Sequence, residues 1–209
     1  GLGNPEQRQH SAVQMRTLID MLISTVVEDV SPPGGDLNRL DDYRNQGTRL
    51  ATLNLTLACY ALISDDRRYS NLHNHLSRLL RQALVETSGG PLASYPQYTW
   101  YFDTIMALVS LEMYDRAHGL AQTRTMLERH QSWLRRHGQS CVRIGPVAYE
   151  GGLPRGCDIS MQICLLQQVD ASVAQRLYPD YVNHHWADLG FIAGFREWPR
   201  SKGPAFQGD

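Results

Sequence analysis

The sequence predicts an all-α protein built as a toroid of helical hairpins. Apolar residues recur three and four positions apart along most of the chain, and no long segment shows the alternation of a strand. Strongly apolar helical segments (50–63, 103–114, 158–169) alternate with more polar, amphipathic ones (69–87, 120–137, 171–187). An inner ring of buried helices inside an outer amphipathic ring gives this alternation. A helical solenoid is the rival architecture, but the sequence has no fixed-period repeat.

The first half of the chain is predicted as three helices separated by clear stop signals. The spacing of Val13, Leu18 and Leu22 predicts the first helix, and Ser31-Pro-Pro-Gly-Gly-Asp36 ends it because proline and glycine break helices. The third helix stops at Ser88-Gly89-Gly90-Pro91 for the same reason. The predicted helices cover 11–28, about 42–64, and 69–87.

The second half begins with an aromatic loop, 94–103, that leads directly into an apolar helix carrying Ile105, Met106 and Val109. Glycines and a proline in 142–156 indicate a loop that holds short strands. The segment from Phe195 onward is predicted to be an irregular loop. The predicted helices of this half cover 103–118, about 120–137, 158–169 and 171–188.

The whole chain, 1–209, is predicted to be a single helical domain. About seven helices form only part of a closed six-hairpin barrel, so we expect a partial or truncated toroid that belongs to a longer chain. The sequence opens at Gly1 rather than at a methionine, and no run approaches the roughly 18 apolar residues of a membrane helix. A membrane anchor outside this segment is therefore left open.

Composition excludes some classes of partner and gives a weak indication of compartment. The formal net charge of −1 argues against nucleic acid as a partner. Cys59, Cys141, Cys157 and Cys164 show no metal-like spacing. Cys141 and Cys157 would be able to pair across the loop between them in an oxidising compartment. A periplasmic or envelope location is thus favoured over a cytoplasmic one, and homo-oligomerisation is left open.

The aromatic loop is the leading candidate for a ligand-binding surface. Ser94, Tyr95, Tyr98, Trp100 and Tyr101 all precede or open the apolar helix, and aromatic rings offer apolar faces with polar edges. Such a group is suited to a polar, ring-shaped or extended ligand. The alternative interpretation is a set of core aromatic residues beside a helix-capping aspartate.

Two aspartates, Asp103 and Asp158, are predicted to start inner helices and are the candidate catalytic pair. Alternate inner helices of a toroid converge on one funnel, so both carboxylates would face a shared cavity. Glycosidic cleavage needs such a pair, one to protonate the leaving oxygen and one to activate water or attack. The alternative is two independent N-caps, each stabilising its helix by about 1 kcal/mol. Glu197 is expected in a surface ion pair.

The sequence lacks the motifs of metal-dependent, phosphate-binding and serine-nucleophile sites. The histidines do not form a metal-binding pattern, no glycine-rich phosphate loop follows a strand, and Ser94 lacks the GxSxG context of a nucleophile. We therefore expect neither a metal nor another cofactor.

Four short motifs resemble those of bacterial linalool dehydratase/isomerase in order and spacing over 45–188. They are Leu53-Asn54-Leu55; Arg67-Arg68-Tyr69; Tyr114-Asp115-Arg116 with His118-Gly119; and Asp170 with Tyr178-Pro179. This resemblance implies an (α/α)6 toroid, a fold that the family shares with six-hairpin glycosidases and polysaccharide lyases.

The catalytic residues of that family do not carry over to this chain. Its two cysteines fall at Ser94 and Asp103, and a pocket histidine falls at Thr52. Linalool or myrcene chemistry is therefore not expected. What the resemblance implies is the location of a site, at the mouth of the inner helices beside the aromatic loop.

Three functions remain open at this point. The first is a carbohydrate-active hydrolase or lyase, with Asp103 as general acid/base and Asp158 as its partner, acting on a small-molecule or glycan ligand. The second is a non-catalytic binding or assembly module of an envelope complex. The third is a protein that holds an isoprenoid or lipid-like ligand in the same cavity.

Overall fold

The computed structural model of the chain describes residues 4–26, 40, 46–137, 142–144, 147–149 and 155–199. Within these residues it has seven α-helices, which confirms the predicted all-α class. They are α1 (Pro5–Val26), α2 (Gly47–Ile63), α3 (Ser70–Glu86), α4 (Tyr101–His118), α5 (Thr123–His137), α6 (Gly156–Val169) and α7 (Ala171–His185).

In the part of the chain that the structure describes, five short strands accompany the helices. The strands β1 (Tyr98–Thr99), β2 (Val142–Ile144) and β3 (Val147–Tyr149) form an antiparallel sheet in the order β1-β2-β3. The strands β4 (Trp186–Asp188) and β5 (Ala193–Phe195) form a separate hairpin. The short strands predicted in the loop after α5 are thus confirmed. The prediction of an irregular tail from Phe195 onward was wrong in part, since Phe195 ends β5. The last helix was predicted to reach residue 188, but α7 ends at His185 and is followed by β4.

The helices α2 and α4 lie side by side and run parallel. Three side-chain contacts ascend both helices together: Thr48 to Asp103, Thr52 to Met106, and Asn54 to Ser110. Partners that rise in the same order on two helices require the helices to point the same way.

The helix α6 continues the parallel row on the other side of α4. Arg116 near the end of α4 donates to the carbonyl oxygens of Gln168 and Val169 at the end of α6. At the opposite end the charge of Asp103 acts on Asp158. The amino termini of α2, α4 and α6 therefore lie at one end of the row.

Burial is most complete in α4, the middle helix of the row α2, α4 and α6, which we call the inner row. Every residue of α4 from 103 to 111 is buried, so the helix is covered on all sides. In α5 the buried residues are Thr123, Leu127 and His130, a single stripe at helical spacing. The helices α1, α3, α5 and α7 pack against this row. Closure of the row into a ring stays a prediction.

A buried ion pair holds the carboxyl end of α4 to its neighbours. Asp115 accepts from Arg81 of α3 at 2.7 Å, and its other oxygen accepts from the backbone and hydroxyl of Thr123 at 2.7 and 2.8 Å. Although burial acts to raise it, these hydrogen bonds hold the pKa of Asp115 below its ordinary value. Asp115 therefore joins α3, α4 and the first turn of α5.

Candidate functional site

The amino-terminal turns of the inner helices form the candidate site. The loop before α4 lies against the start of α2, where the Gly47 amide donates to Ala93 at 2.8 Å. A side chain at Gly47 would bring its Cβ within 2.7 Å of the Ala93 carbonyl oxygen, so this close approach requires glycine. The contact places Thr48 of α2 beside the first turn of α4.

Asp103 is the third residue of α4 and is fully buried. One carboxylate oxygen, Oδ2, accepts a 2.6 Å hydrogen bond from the Thr48 hydroxyl. The other oxygen, Oδ1, has no hydrogen-bond partner among the described residues. Burial raises the pKa of Asp103, and the hydroxyls of Ser94 and Thr48 oppose that effect without cancelling it.

Ser94 holds the aromatic loop to the start of α4. Its buried hydroxyl oxygen accepts from the Trp100 amide at 2.7 Å, and its own amide donates to the Tyr98 carbonyl at 2.9 Å. These bonds fix the loop on which the exposed rings stand. Ser94 therefore positions the aromatic loop, and its hydroxyl opposes the rise that burial causes in the pKa of Asp103.

Asp158 occupies the matching place, the third residue of α6, and is 8% exposed. Its Oδ1 lies 3.6 Å from the Cys157 sulfur. Burial raises the pKa of Asp158, and the negative charges of Glu197 and Asp103 raise it further. The hydrogen bond from Cys157 and the positive charge of Arg155 act in the opposite direction. The charge of Asp103 makes the smallest of these contributions, so burial is the main cause of the raised pKa of Asp158.

Neither aspartate is an N-cap. The N-cap residues are Trp100 for α4 and Arg155 for α6, and neither makes a capping bond through its side chain. Because Asp103 accepts from hydroxyl groups, the capping role weighed from the sequence does not describe it. Both aspartates lie in the first turn of their helices, where the positive end of the helix dipole favours their ionised forms.

Glu197 caps α6 and has a larger role in the site than the sequence indicated. It forms the expected ion pair, with Arg155, and its Oε2 accepts from the Cys157 amide at 3.1 Å. Its carbonyl accepts from the Gly156 amide at 2.7 Å. A Cβ on Gly156 would lie 2.3 Å from the Arg196 carbonyl oxygen, so this junction also requires glycine.

The Cys157 thiol is not activated. Burial first, and then the hydrogen bond to Glu197, raise the pKa of Cys157 to about 12. The thiol is therefore protonated at neutral pH, and a protonated thiol is a poor nucleophile.

Three of the predicted aromatic residues form a cluster at the surface. The rings of Tyr98 and Trp100 are stacked, with centroids 5.7 Å apart and planes at 12°, and Tyr95 meets Trp100 edge-on at 5.9 Å. A tight turn supports them, since the Tyr98 amide donates to Tyr95 at 2.9 Å and Gln97 takes a positive φ of 69°. Tyr98 is 40% exposed and offers its ring to solvent.

Tyr101 lies apart from this cluster. It is 3% exposed, and its ring packs against Trp133 and His130 of α5 at 5.9 and 6.2 Å. Tyr101 thus belongs to the packing of α4 on α5, while Tyr95, Tyr98 and Trp100 form the surface cluster.

The described residues hold no group of three or more histidine, cysteine, aspartate or glutamate side chains arranged to bind a metal ion. Among the helices that the structure describes, none has the length and apolar character needed to cross a membrane. No protein-family model matches the chain, and no curated protein matches it in sequence.

Thr48 and Arg155 were missed in the sequence. The predicted start of α2 near residue 42 placed Thr48 inside a helix, whereas α2 begins at Gly47 and Thr48 is in its first turn. Thr48, Asp103 and Asp158 all lie in the first turn of an inner helix. A polar residue at that position is therefore the sequence signal that would have identified all three.

Proposed function

We propose that the chain carries the acid/base site of a hydrolase or lyase that acts on a carbohydrate-like ligand. The observation that supports this most is the matched pair of buried aspartates, Asp103 and Asp158. Both stand at the third position of neighbouring parallel helices, both have raised pKa values, and the charge of one acts on the other. Perturbed carboxyl pairs of this kind are typical of general acid/base sites.

In this proposal Asp103 is the general acid. Its Oδ2 is fixed by Thr48, while Oδ1 has no hydrogen-bond partner among the described residues and is the atom that we assign to proton transfer. The raised pKa favours a retained proton on this group, which is what protonation of a leaving oxygen requires.

Asp158 is then the ionised partner, acting as the base toward water or toward a ligand proton. Arg155 favours its charged form, and Arg155 is itself held by Glu197. The stacked Tyr98 and Trp100 would support the apolar face of a sugar ring beside this pair.

We also propose that α2, α4 and α6 are three inner helices of an (α/α)6 toroid, as the resemblance to the linalool dehydratase family implies. Their parallel row, with an antiparallel helix between successive members, supports this arrangement. In such a toroid the funnel lies at the amino-terminal end of the row, where Asp103 and Asp158 stand.

The test is turnover of a panel of neutral and uronate-containing polysaccharides by the purified chain. Hydrolysis releases reducing ends, and elimination gives the ultraviolet absorbance of an unsaturated uronate. Asp103→Asn and Asp158→Asn should each lower turnover by about 100-fold or more. Glu128→Gln is the matched control, because Glu128 is an exposed carboxylate of α5 that pairs only with Arg124 in the described residues.

A different result would favour the binding module. Saturable binding of an oligosaccharide without turnover, lost in Trp100→Ala but unchanged in Asp103→Asn, would contradict the catalytic proposal. The exposed aromatic pair would then be the functional group, and the aspartates would be part of the scaffold.

A further inference from the structure

A cavity lies between α5 and α7, over α4 and α6. It has a volume of about 220 Å³, and we call it the α5–α7 groove. Cavities of about 150 Å³ already admit a benzene-sized molecule, so this one is large enough for a small ligand. Its apolar lining comes from all four surrounding helices: Ile105, Leu127, Leu134, Leu166, Val173 and Leu177.

The lining contains a buried polar group that lacks a partner. Gln162 of α6 is 5% exposed, and its amide nitrogen has no hydrogen-bond partner among the described residues. A buried donor left unpaired is destabilising, and such groups are rare in native proteins. An acceptor oxygen on a ligand in the groove would satisfy it.

Two arginines stand at the sides of the groove, Arg135 on α5 and Arg176 on α7. Each donates to a serine of its own helix, at 2.8 Å for Arg135 and 3.2 Å for Arg176. Within the part of the chain that the structure describes, neither forms an ion pair. Asp180 is the acidic residue in the lining, so positive charge exceeds negative charge there.

We propose that the α5–α7 groove binds a small amphipathic carboxylic acid. Its apolar body lies on the aliphatic lining, and its carboxylate accepts hydrogen bonds from Arg135, Arg176 and the amide of Gln162. Guanidinium groups pair with carboxylates through two parallel hydrogen bonds, which suits them to this ligand. The inference is independent of the catalytic pair, because none of these residues belongs to the Asp103–Asp158 site.

The experiment is isothermal titration calorimetry of the whole chain with octanoate and octylamine. The two probes share an apolar body and differ in the sign of their charge. Octanoate should bind once per chain and at least about tenfold more tightly than octylamine, as charge-assisted hydrogen bonds require. Equal affinity for the two probes, several equivalents bound, or no saturable octanoate binding would each overturn the proposal.

Variants locate the binding. Arg135→Gln combined with Arg176→Gln, and separately Gln162→Leu, should each weaken octanoate binding by about tenfold. Arg136→Gln removes an exposed arginine of the same helical turn that does not line the groove, and it should leave the affinity unchanged. Both groove arginines are exposed, so the double variant is expected to fold. Wild-type affinity in that double variant would show that octanoate binds elsewhere.

Discussion

Asp103 and Asp115 stand on the same helix and are equally buried, with 0 and 1% of each exposed, yet their surroundings have opposite effects. Asp115 has a guanidinium, a backbone amide and a hydroxyl as donors, and its pKa is lowered. Asp103 has hydroxyl partners and one oxygen without a partner among the described residues, and its pKa is raised. Partners, rather than burial, separate a structural carboxylate from a candidate catalytic one.

The largest expected difference is in stability. Asp115→Asn should lower the free energy of unfolding by about 3 kcal/mol, because it leaves Arg81 without its buried counterion. Asp103→Asn should change it by less than about 1 kcal/mol, since the amide removes a charge that burial disfavours. Urea unfolding of both variants measures this. Equal losses would mean that Asp103 is as structural as Asp115.

The pH dependence of stability should have opposite signs at the two sites. The raised native pKa of Asp103 gives stability that is fully present below the ordinary value of 3.8 and is lost as the pH rises through the native value. The lowered native pKa of Asp115 gives stability that is present above 3.8 and is lost as the pH falls through the native value.

Unfolding free energies of the wild type and the two asparagine variants, measured from acid to neutral pH, test this prediction. The free energy of unfolding of the wild type minus that of Asp103→Asn should decrease as the pH rises. The free energy of unfolding of the wild type minus that of Asp115→Asn should increase. Parallel curves for the two variants would contradict the assignment of opposite roles.

A substitution at Thr48 should increase the difference between the pKa values of Asp103 and Asp115, with a smaller effect on stability. Thr48→Val removes the 2.6 Å donor to Oδ2, so the pKa of Asp103 should rise further, with a loss of about 1 kcal/mol of stability. Thr48→Ser keeps the hydroxyl and should restore the wild-type titration. An NMR titration of the Asp103 carboxyl carbon measures both, and an unchanged pKa in Thr48→Val would show that this hydroxyl does not tune the site.

The smallest effect is expected at Glu112, a carboxylate on the same helix that is partly open to solvent. It pairs with Arg116 at 3.1 Å across one helical turn, and Arg116 is exposed. Glu112→Gln should change stability by no more than about 0.5 kcal/mol, and added salt should erase the difference. A loss comparable to that of Asp115→Asn would show that solvent exposure does not weaken the Glu112–Arg116 pair.

Helical periodicity was sufficient to predict the fold class and the inner helices, because a buried helix repeats its apolar residues locally. The same pattern placed Asp103 and Asp158 near helix starts. Tyr101 could not be separated from Trp100 in this way, since consecutive residues of a helix point about 100° apart and the start of α4 decides which one faces α5.

Interactions between distant segments could not be predicted from the sequence. Glu197 lies 40 residues from Cys157, and Asp115 lies 34 residues from Arg81. No local pattern links such partners, because only the packing of whole hairpins brings them together. Thr48 was hidden for a related reason, since the predicted start of α2 was several residues too early.

The parallel row of inner helices also has a consequence for folding kinetics. The contacts that join α2 to α4 connect residues 54 to 56 positions apart, so a complete hairpin must close before any of them forms. Such non-local contacts slow folding relative to a bundle of sequential antiparallel helices, in which neighbours meet early. The Thr48–Asp103 contact therefore belongs to a late step of folding. Its loss should accelerate unfolding while leaving the refolding rate nearly unchanged.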